Sequence, residues 1–131
     1  MVEGQDGERE GCIVVLGATG GIGSALARRL AAKGNRLLLA GRDAAKLEPL
    51  AAALGAVPHV LDARRTAEVQ AGLDRAVELF GRIDGVANCV GSLLLKPAHL
   101  TSQDEFDATV ATNLGSAFAT VHAAGRAMRK G

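Results

Sequence analysis

Tryptophan and tyrosine are absent from this sequence, and phenylalanine occurs only three times in 131 residues. A core without large rings must be built from Ala, Leu, Val and Ile. Hydrophobic residues make up 48% of the chain, enough for the core of one domain of ordinary size. Such a core suits helices packed on a parallel sheet. An excess of charge is also missing. Fifteen basic residues against fourteen acidic ones leave a net charge of +1. With no block of like charge, neither nucleic acid nor an anionic membrane is expected as partner. No apolar run is long enough to span a bilayer. The stretch MVEGQDGEREG at the amino terminus is polar and acidic, unlike a signal or transit peptide. Residues 1–10 are expected to be a disordered lead-in, and the protein to be cytoplasmic. Cysteine is scarce too. Cys12 and Cys89 both fall in expected buried strands, which favours two reduced structural thiols over a disulfide or metal pair. His59, His99 and His122 fall on separate elements without ligand spacing, so no metal is expected.

What is present alternates. Cys12–Leu16 is a continuous apolar run ending in glycine, as a buried parallel strand should be. Ile22, Leu26 and Leu30 recur every four residues and define a helix face, which Gly34 ends. Arg36–Ala40 is the second strand. Asp43 caps a helix carrying Leu47, Leu50 and Leu54, in which Pro49 should introduce a kink. Val57–Leu61 is the third strand, and Thr66 caps a helix with Val69, Leu73, Val77 and Phe80 on one face. Ile83–Val90 is the fourth strand. Thr101 and Asp104 resemble a capping box, and the helix after them should turn Phe106, Val110, Leu114, Phe118 (or Ala117) and Val121 inward. The pattern is β-α repeated four times. It predicts an α/β fold, a doubly wound parallel sheet of order 3-2-1-4, with residues 11–131 as a partial dinucleotide-binding domain. A full fold of this kind has a second half beyond strand one. Here one strand and one helix represent it, so the sheet is expected to be truncated after the fourth β-α unit.

The segment Gly17-Ala18-Thr19-Gly20-Gly21-Ile22-Gly23 joins the first strand to the first helix. Glycines there allow a sharp turn and close approach of backbone to a pyrophosphate, and the helix start offers free N–H groups and a positive dipole end. The spacing is neither G-x-G-x-x-G nor that of a P-loop. A tight turn with no ligand is the plainer alternative, but the strand before and the helix after favour a nucleotide.

Four stretches together resemble the short-chain dehydrogenase/reductase family, in the family's order, across residues 12–131. Leu16 through Gly23 is similar to its T-G-x-x-x-G-I-G signature, with Leu16 in place of Thr. Asn88-Cys89-Val90-Gly91 is similar to its N-N-A-G, with Cys89 and Val90 as departures. Asn113 resembles the family's helix asparagine, and Asp62 its aspartate near the adenine ring. The resemblance implies an NAD(P)-binding Rossmann fold and an oxidoreductase moving hydride between nicotinamide and a carbonyl or alcohol. It places Gly17, Gly21 and Gly23 at the phosphates, with Ala18, Thr19, Gly20 and Ile22 in the same turn. Asp62 and Ala63 fall by the adenine, and Asn88 and Gly91 beside the cofactor. Asn113 is the one catalytic helper, its carbonyl holding a water in a proton relay. A small-molecule substrate and a homo-oligomeric full-length protein are also implied.

In such folds the residue after the second strand reads the adenosine ribose: an acid accepts from the 2′-hydroxyl of NAD, and an arginine accommodates the 2′-phosphate of NADP. Gly41 stands where NAD-preferring relatives often carry Asp, and Arg42 follows it. A guanidinium grips phosphate with two prongs, so NADP is favoured over NAD. Against that, Arg42 as a solvated surface charge and Asp43 as the ribose contact are the alternatives, although Asp43 is more simply a helix cap. The family's tyrosine, lysine and serine come after the fourth helix, and this chain has no tyrosine. The 131 residues alone are therefore expected to be inactive. Two other readings remain: a cofactor-binding module or sensor without catalysis, and an S-adenosylmethionine site, which would want an acid where Gly41-Arg42 stands. Leu93, Leu94 and Leu95 suit either a pocket entrance or packing under a loop.

Overall fold

Four short apolar runs pair side by side because the helices between them are long enough to return the chain to the same end of the sheet. The computed structural model describes residues 10–128. Apart from Glu10, the lead-in lies outside them, as do Arg129, Lys130 and Gly131. The order is β1 (Cys12–Leu16), α1 (Gly21–Ala32), β2 (Arg36–Gly41), α2 (Ala44–Leu54), β3 (Val57–Val60), α3 (Thr66–Phe80) and β4 (Gly85–Asn88). A 3-10 turn (Ala98–Leu100) follows, then α4 (Gln103–Val110), a π-helical turn (Ala111–Gly115) and α5 (Ser116–Ala127). All strands are parallel, in the order β3-β2-β1-β4. This is the doubly wound sheet expected.

Strand alternation divides the core in two. Val14, Leu16, Leu38 and Ala40 face one way, under Leu73 and Ala76 of α3 and Ala119 and Ala123 of α5. Val15, Leu37 and Leu39 face the other way, against Ala27 of α1 and Leu47 and Leu50 of α2. The backbone stays right-handed helical at Val110, Ala111, Gly115 and Ser116. So α4, the π turn and α5 form one rod, corresponding to the single fourth helix expected.

Several expectations need correction. The large residues of that rod do not point inward. Phe106, Leu114, Phe118 and Val121 are exposed, Val110 less so, and the buried face is Ser116, Ala119, Thr120 and Ala123. Small side chains let this rod lie close on α3, so the bulky stripe is left outside. The same holds in α1, where Gly23 and Ala27 are buried and Ile22 is 80% exposed.

β4 is half the expected length. The Asn88 side chain accepts from the Val90 N–H at 3.0 Å and turns the chain out of the ladder. β3 ends at Val60, although the Leu61 N–H still donates to the Gly41 carbonyl. Helix α2 runs through Pro49 without a break, capped by Asp43 as expected and closed by Gly55 at φ +64°. Thr66 is the first helical residue of α3 and not its cap; Arg65 takes that place without a side-chain bond. At α4 the box is one residue later than expected. Ser102 Oγ accepts from the Glu105 N–H while Glu105 accepts from the Ser102 N–H, both at 3.1 Å. Among the described residues no helix is long and apolar enough to cross a membrane.

Candidate functional site

The carboxyl ends of all four strands open into one cleft of about 850 Å³. Parallel pairing puts the residues after β1, β2, β3 and β4 at the same edge. Because the chain leaves β1 toward β2 and later returns on its other side as β4, the crevice lies where strand order reverses, the usual ligand position in such sheets. Gly17, Thr19 and Gly20 line it from the first loop, Arg42 from the second, Asp62 and Ala63 from the third, and Gly91 from the fourth.

The first loop is fixed by contacts that only glycine permits. Gly17 has φ +72°, and a Cβ on it would come within 2.8 Å of the Cys89 carbonyl. A Cβ on Gly23 would collide with the Gly17 carbonyl oxygen. Ala18 is buried and donates its N–H to the Ala40 carbonyl at 3.0 Å, pinning the loop to β2. By contrast, a Cβ on Gly21 meets nothing within 4 Å. Gly20 caps α1 without a side-chain acceptor, and the first turn carries no acid. The amides at this helix start, including those of Gly21, Ile22 and Gly23, therefore keep their positive end uncompensated.

At the second loop Arg42 is exposed, and within the described residues no hydrogen bond or ion pair holds its guanidinium. Asp43 is committed to its cap, accepting from the Ala45 N–H at 2.9 Å. At the third loop Arg64 clamps Asp62 from Nε (3.0 and 3.1 Å) and from a terminal nitrogen (2.7 Å). That hydrogen bonding outweighs burial and lowers the Asp62 pKa to about 2, with a smaller contribution from the charge of Arg42.

The fourth loop is tied to the π turn. Asn88 Nδ2 donates to the buried Ser116 hydroxyl at 3.2 Å, and that hydroxyl donates to the Asn113 carbonyl at 3.3 Å. Asn113 Oδ1 accepts from the Ser92 N–H at 3.0 Å; its Nδ2 donates to Ser92 Oγ and to the Thr109 carbonyl. A Cβ on Gly91 would stand 3.3 Å from Asn113 Oδ1, so Gly91 leaves room for this bridge. Asn113 and Asn88 thus stand behind the cleft wall, while Thr112 reaches it. π turns recur at functional positions because they re-aim backbone groups within a helix. Cys89 lines the cleft after β4, and is half-buried, not in a buried strand as expected; burial raises its thiol pKa.

Thr112, Ser92, Lys46 and Ser116 are residues that sequence reasoning did not assign to the site. Nothing in the sequence marked Ser116, which the expected inward face of Phe106, Val110, Leu114, Phe118 and Val121 left on the other side of the helix.

Two carboxylates give the structure an acid sensitivity. Glu105, through its bonds to Lys96 and then Ser102, also has its pKa lowered to about 2. Both folded values lie below the ordinary 3.8 and 4.5. The stability they contribute is complete above those ordinary values and is lost as pH falls through about 2. Urea denaturation as a function of pH should show this decline, and the Asp62→Asn, Glu105→Gln double variant should lose part of it. An unchanged profile in that variant would contradict the assignment.

The chain belongs to the short chain dehydrogenase family, whose model matches residues 11–131. It is similar to the D-threitol dehydrogenase of Mycolicibacterium smegmatis, 38% identical over 120 residues, covering 88% of this chain and 46% of that protein. A short chain dehydrogenase from Burkholderia cenocepacia in complex with NADP superposes with a TM-score of 0.85 at 26% identity, covering 91% of this chain and 51% of that one. A 3-ketoacyl-(acyl-carrier-protein) reductase from Brucella melitensis complexed with NADH gives 0.82 at 25%, covering 88% and 48%. The chain spans about half the length of the relatives it matches.

Proposed function

We propose that the protein is an oxidoreductase that binds NADP across the carboxyl ends of its sheet and moves hydride between the nicotinamide and a small carbonyl or alcohol substrate. The carrying observation is one cleft joining an uncompensated helix start at Gly20 to a guanidinium at Arg42 that has no hydrogen-bond or ion-pair partner among the described residues. Residues 11–131 are then the cofactor half of a dinucleotide-binding domain. Gly17 through Gly23 receive the pyrophosphate on backbone amides, with Gly21 leaving open space for it. Arg42 holds the 2′-phosphate, and Asp62 and Ala63 border the adenine. Asn88 and Gly91 shape the wall toward the nicotinamide. Bound there, the nicotinamide supplies the hydride chemistry. Asn113 acts as a catalytic helper through its carbonyl, which already accepts from the Ser116 N–H and hydroxyl. The 131 residues contain no tyrosine, so taken alone they should not reduce ketones.

The test is a fluorescence titration of the natural protein with NADPH and NADH, followed by a reductase assay on generic ketones. NADPH should bind more tightly and be consumed. Binding without turnover would favour a non-catalytic cofactor module, and no binding of either nucleotide would overturn the proposal.

The same reading makes the natural protein a homo-oligomer whose copies cover the exposed Phe106, Leu114, Phe118 and Val121. Large exposed apolar patches mark interfaces. The isolated chain should therefore self-associate in sedimentation at low micromolar concentration, and Phe118→Glu with Leu114→Glu should shift it to monomer. A monomeric wild-type chain would count against this interface.

A further inference from the structure

The adenosine end of the cleft is electrically mixed. Arg42, Lys46 and Arg64 line it together with Asp43 and Asp62. A bare carboxylate at the same end of the cleft as a 2′-phosphate would repel it, and in a partly desolvated cleft such repulsion is screened less than on open surface. Both acids are already engaged. The Asp43 carboxylate accepts from the Ala45 N–H at the start of α2, where the helix dipole favours negative charge. Both oxygens of Asp62 are held by the Arg64 side chain, and Oδ1 also accepts the Arg64 backbone N–H at 3.0 Å. The Asp62 side chain is 16% exposed and that of Arg64 40% exposed, so the pair is a two-pronged ion pair at the cleft wall, more sheltered than a loose surface contact.

Resting on the assignment of the cleft to NADP, we infer that Arg64 is a specificity-determining residue: by clamping Asp62 it masks the carboxylate that would otherwise repel the 2′-phosphate from Arg42. Asp62 is ionised throughout the neutral range, as any carboxylate with the ordinary pKa of 3.8 would be, so what Arg64 changes there is the pairing of that charge and not its presence. Arg64 acts through Asp62, and Arg42 remains the group that faces the phosphate. The backbone bond from residue 64 to Asp62 survives substitution of the Arg64 side chain, and Asn at position 62 keeps an acceptor for it. The loop is therefore expected to hold its shape in each variant below.

The experiment is a direct binding titration of NADPH and NADH to the natural protein and to Arg64→Ala, Arg64→Lys and the Asp62→Asn, Arg64→Ala double variant, with thermal unfolding as the check on folding. The reading is the NADPH:NADH affinity ratio, in which any loss of adenine contacts cancels because both nucleotides carry adenine. Arg64→Ala should lower the ratio about tenfold, the scale of a lost charge-assisted contact. Arg64→Lys, which keeps the charge without the two prongs, should fall between Arg64→Ala and wild type. The double variant should return close to the wild-type ratio. An unchanged ratio in Arg64→Ala, in a protein that binds NADPH, overturns the masking role and leaves the cofactor assignment standing. A ratio equally low in the single and double variants overturns it too, and makes Arg64 a direct phosphate ligand. Wild-type protein that binds neither nucleotide removes both the assignment and the inference built on it.

Discussion

Replacing Gly21 with valine is expected to weaken NADPH binding by about 100-fold or more, roughly 2.7 kcal/mol, while cooperative unfolding stays close to that of the wild type. The same substitution at Gly17 is expected to lose both binding and fold. The two glycines lie four residues apart in one loop, yet their surroundings differ. Nothing in the protein lies within 4 Å of a Cβ on Gly21, so a side chain there displaces none of the protein's own atoms, and on the proposed reading it takes the space of the pyrophosphate. At Gly17 the left-handed φ of +72° and the Cys89 and Val90 backbone at 2.8–2.9 Å both oppose a side chain. Strain and overpacking together should cost about 3 kcal/mol or more. Equilibrium titration and thermal unfolding by circular dichroism separate the two. Micromolar NADPH binding by a folded Gly21→Val variant would reduce the loop to a tight turn.

Arg42→Asp should invert the cofactor preference. NADPH affinity is expected to fall by about 1.5–3 kcal/mol, the worth of a charge-assisted bond, and NADH affinity to hold or rise. No hydrogen bond or ion pair within the described residues holds the Arg42 guanidinium, so the exchange breaks none. It places a third carboxylate beside Asp43 and Asp62 in the cleft, which disfavours a phosphate, while a hydroxyl can donate to it. Equal affinity ratios in wild type and variant, measured by parallel titration, would take the 2′-phosphate away from Arg42.

How far these features could be read in the sequence follows from their range. β1, β2, the α2 cap at Asp43 and the parallel order were legible because apolar runs and cap residues act locally. The glycine loop was legible because its spacing is set by one turn. The outward stripe of the α4–α5 rod was not. Periodicity finds the apolar face, and the rod is periodic there, but what decides orientation is how closely it can approach α3. That depends on Ala119 and Ala123 packing with Leu73 and Ala76, across more than forty residues. The early end of β4 turns on one side chain, Asn88, capturing one N–H. The Arg64 clamp on Asp62 is local, and two residues of opposite charge two apart suggested nothing until the third loop was seen to face the cleft.

The central claim is that one cleft takes an NADP molecule with its pyrophosphate at the start of α1 and its 2′-phosphate at Arg42. Determining a structure of the natural protein soaked with NADPH tests this most directly. The account predicts pyrophosphate oxygens within hydrogen-bond distance of the amides at the start of α1, near Gly21 and Ile22, and the 2′-phosphate on the Arg42 guanidinium with Arg64 still paired to Asp62. A dinucleotide bound away from the glycine loop, or its 2′-phosphate turned from Arg42 into solvent, would contradict it.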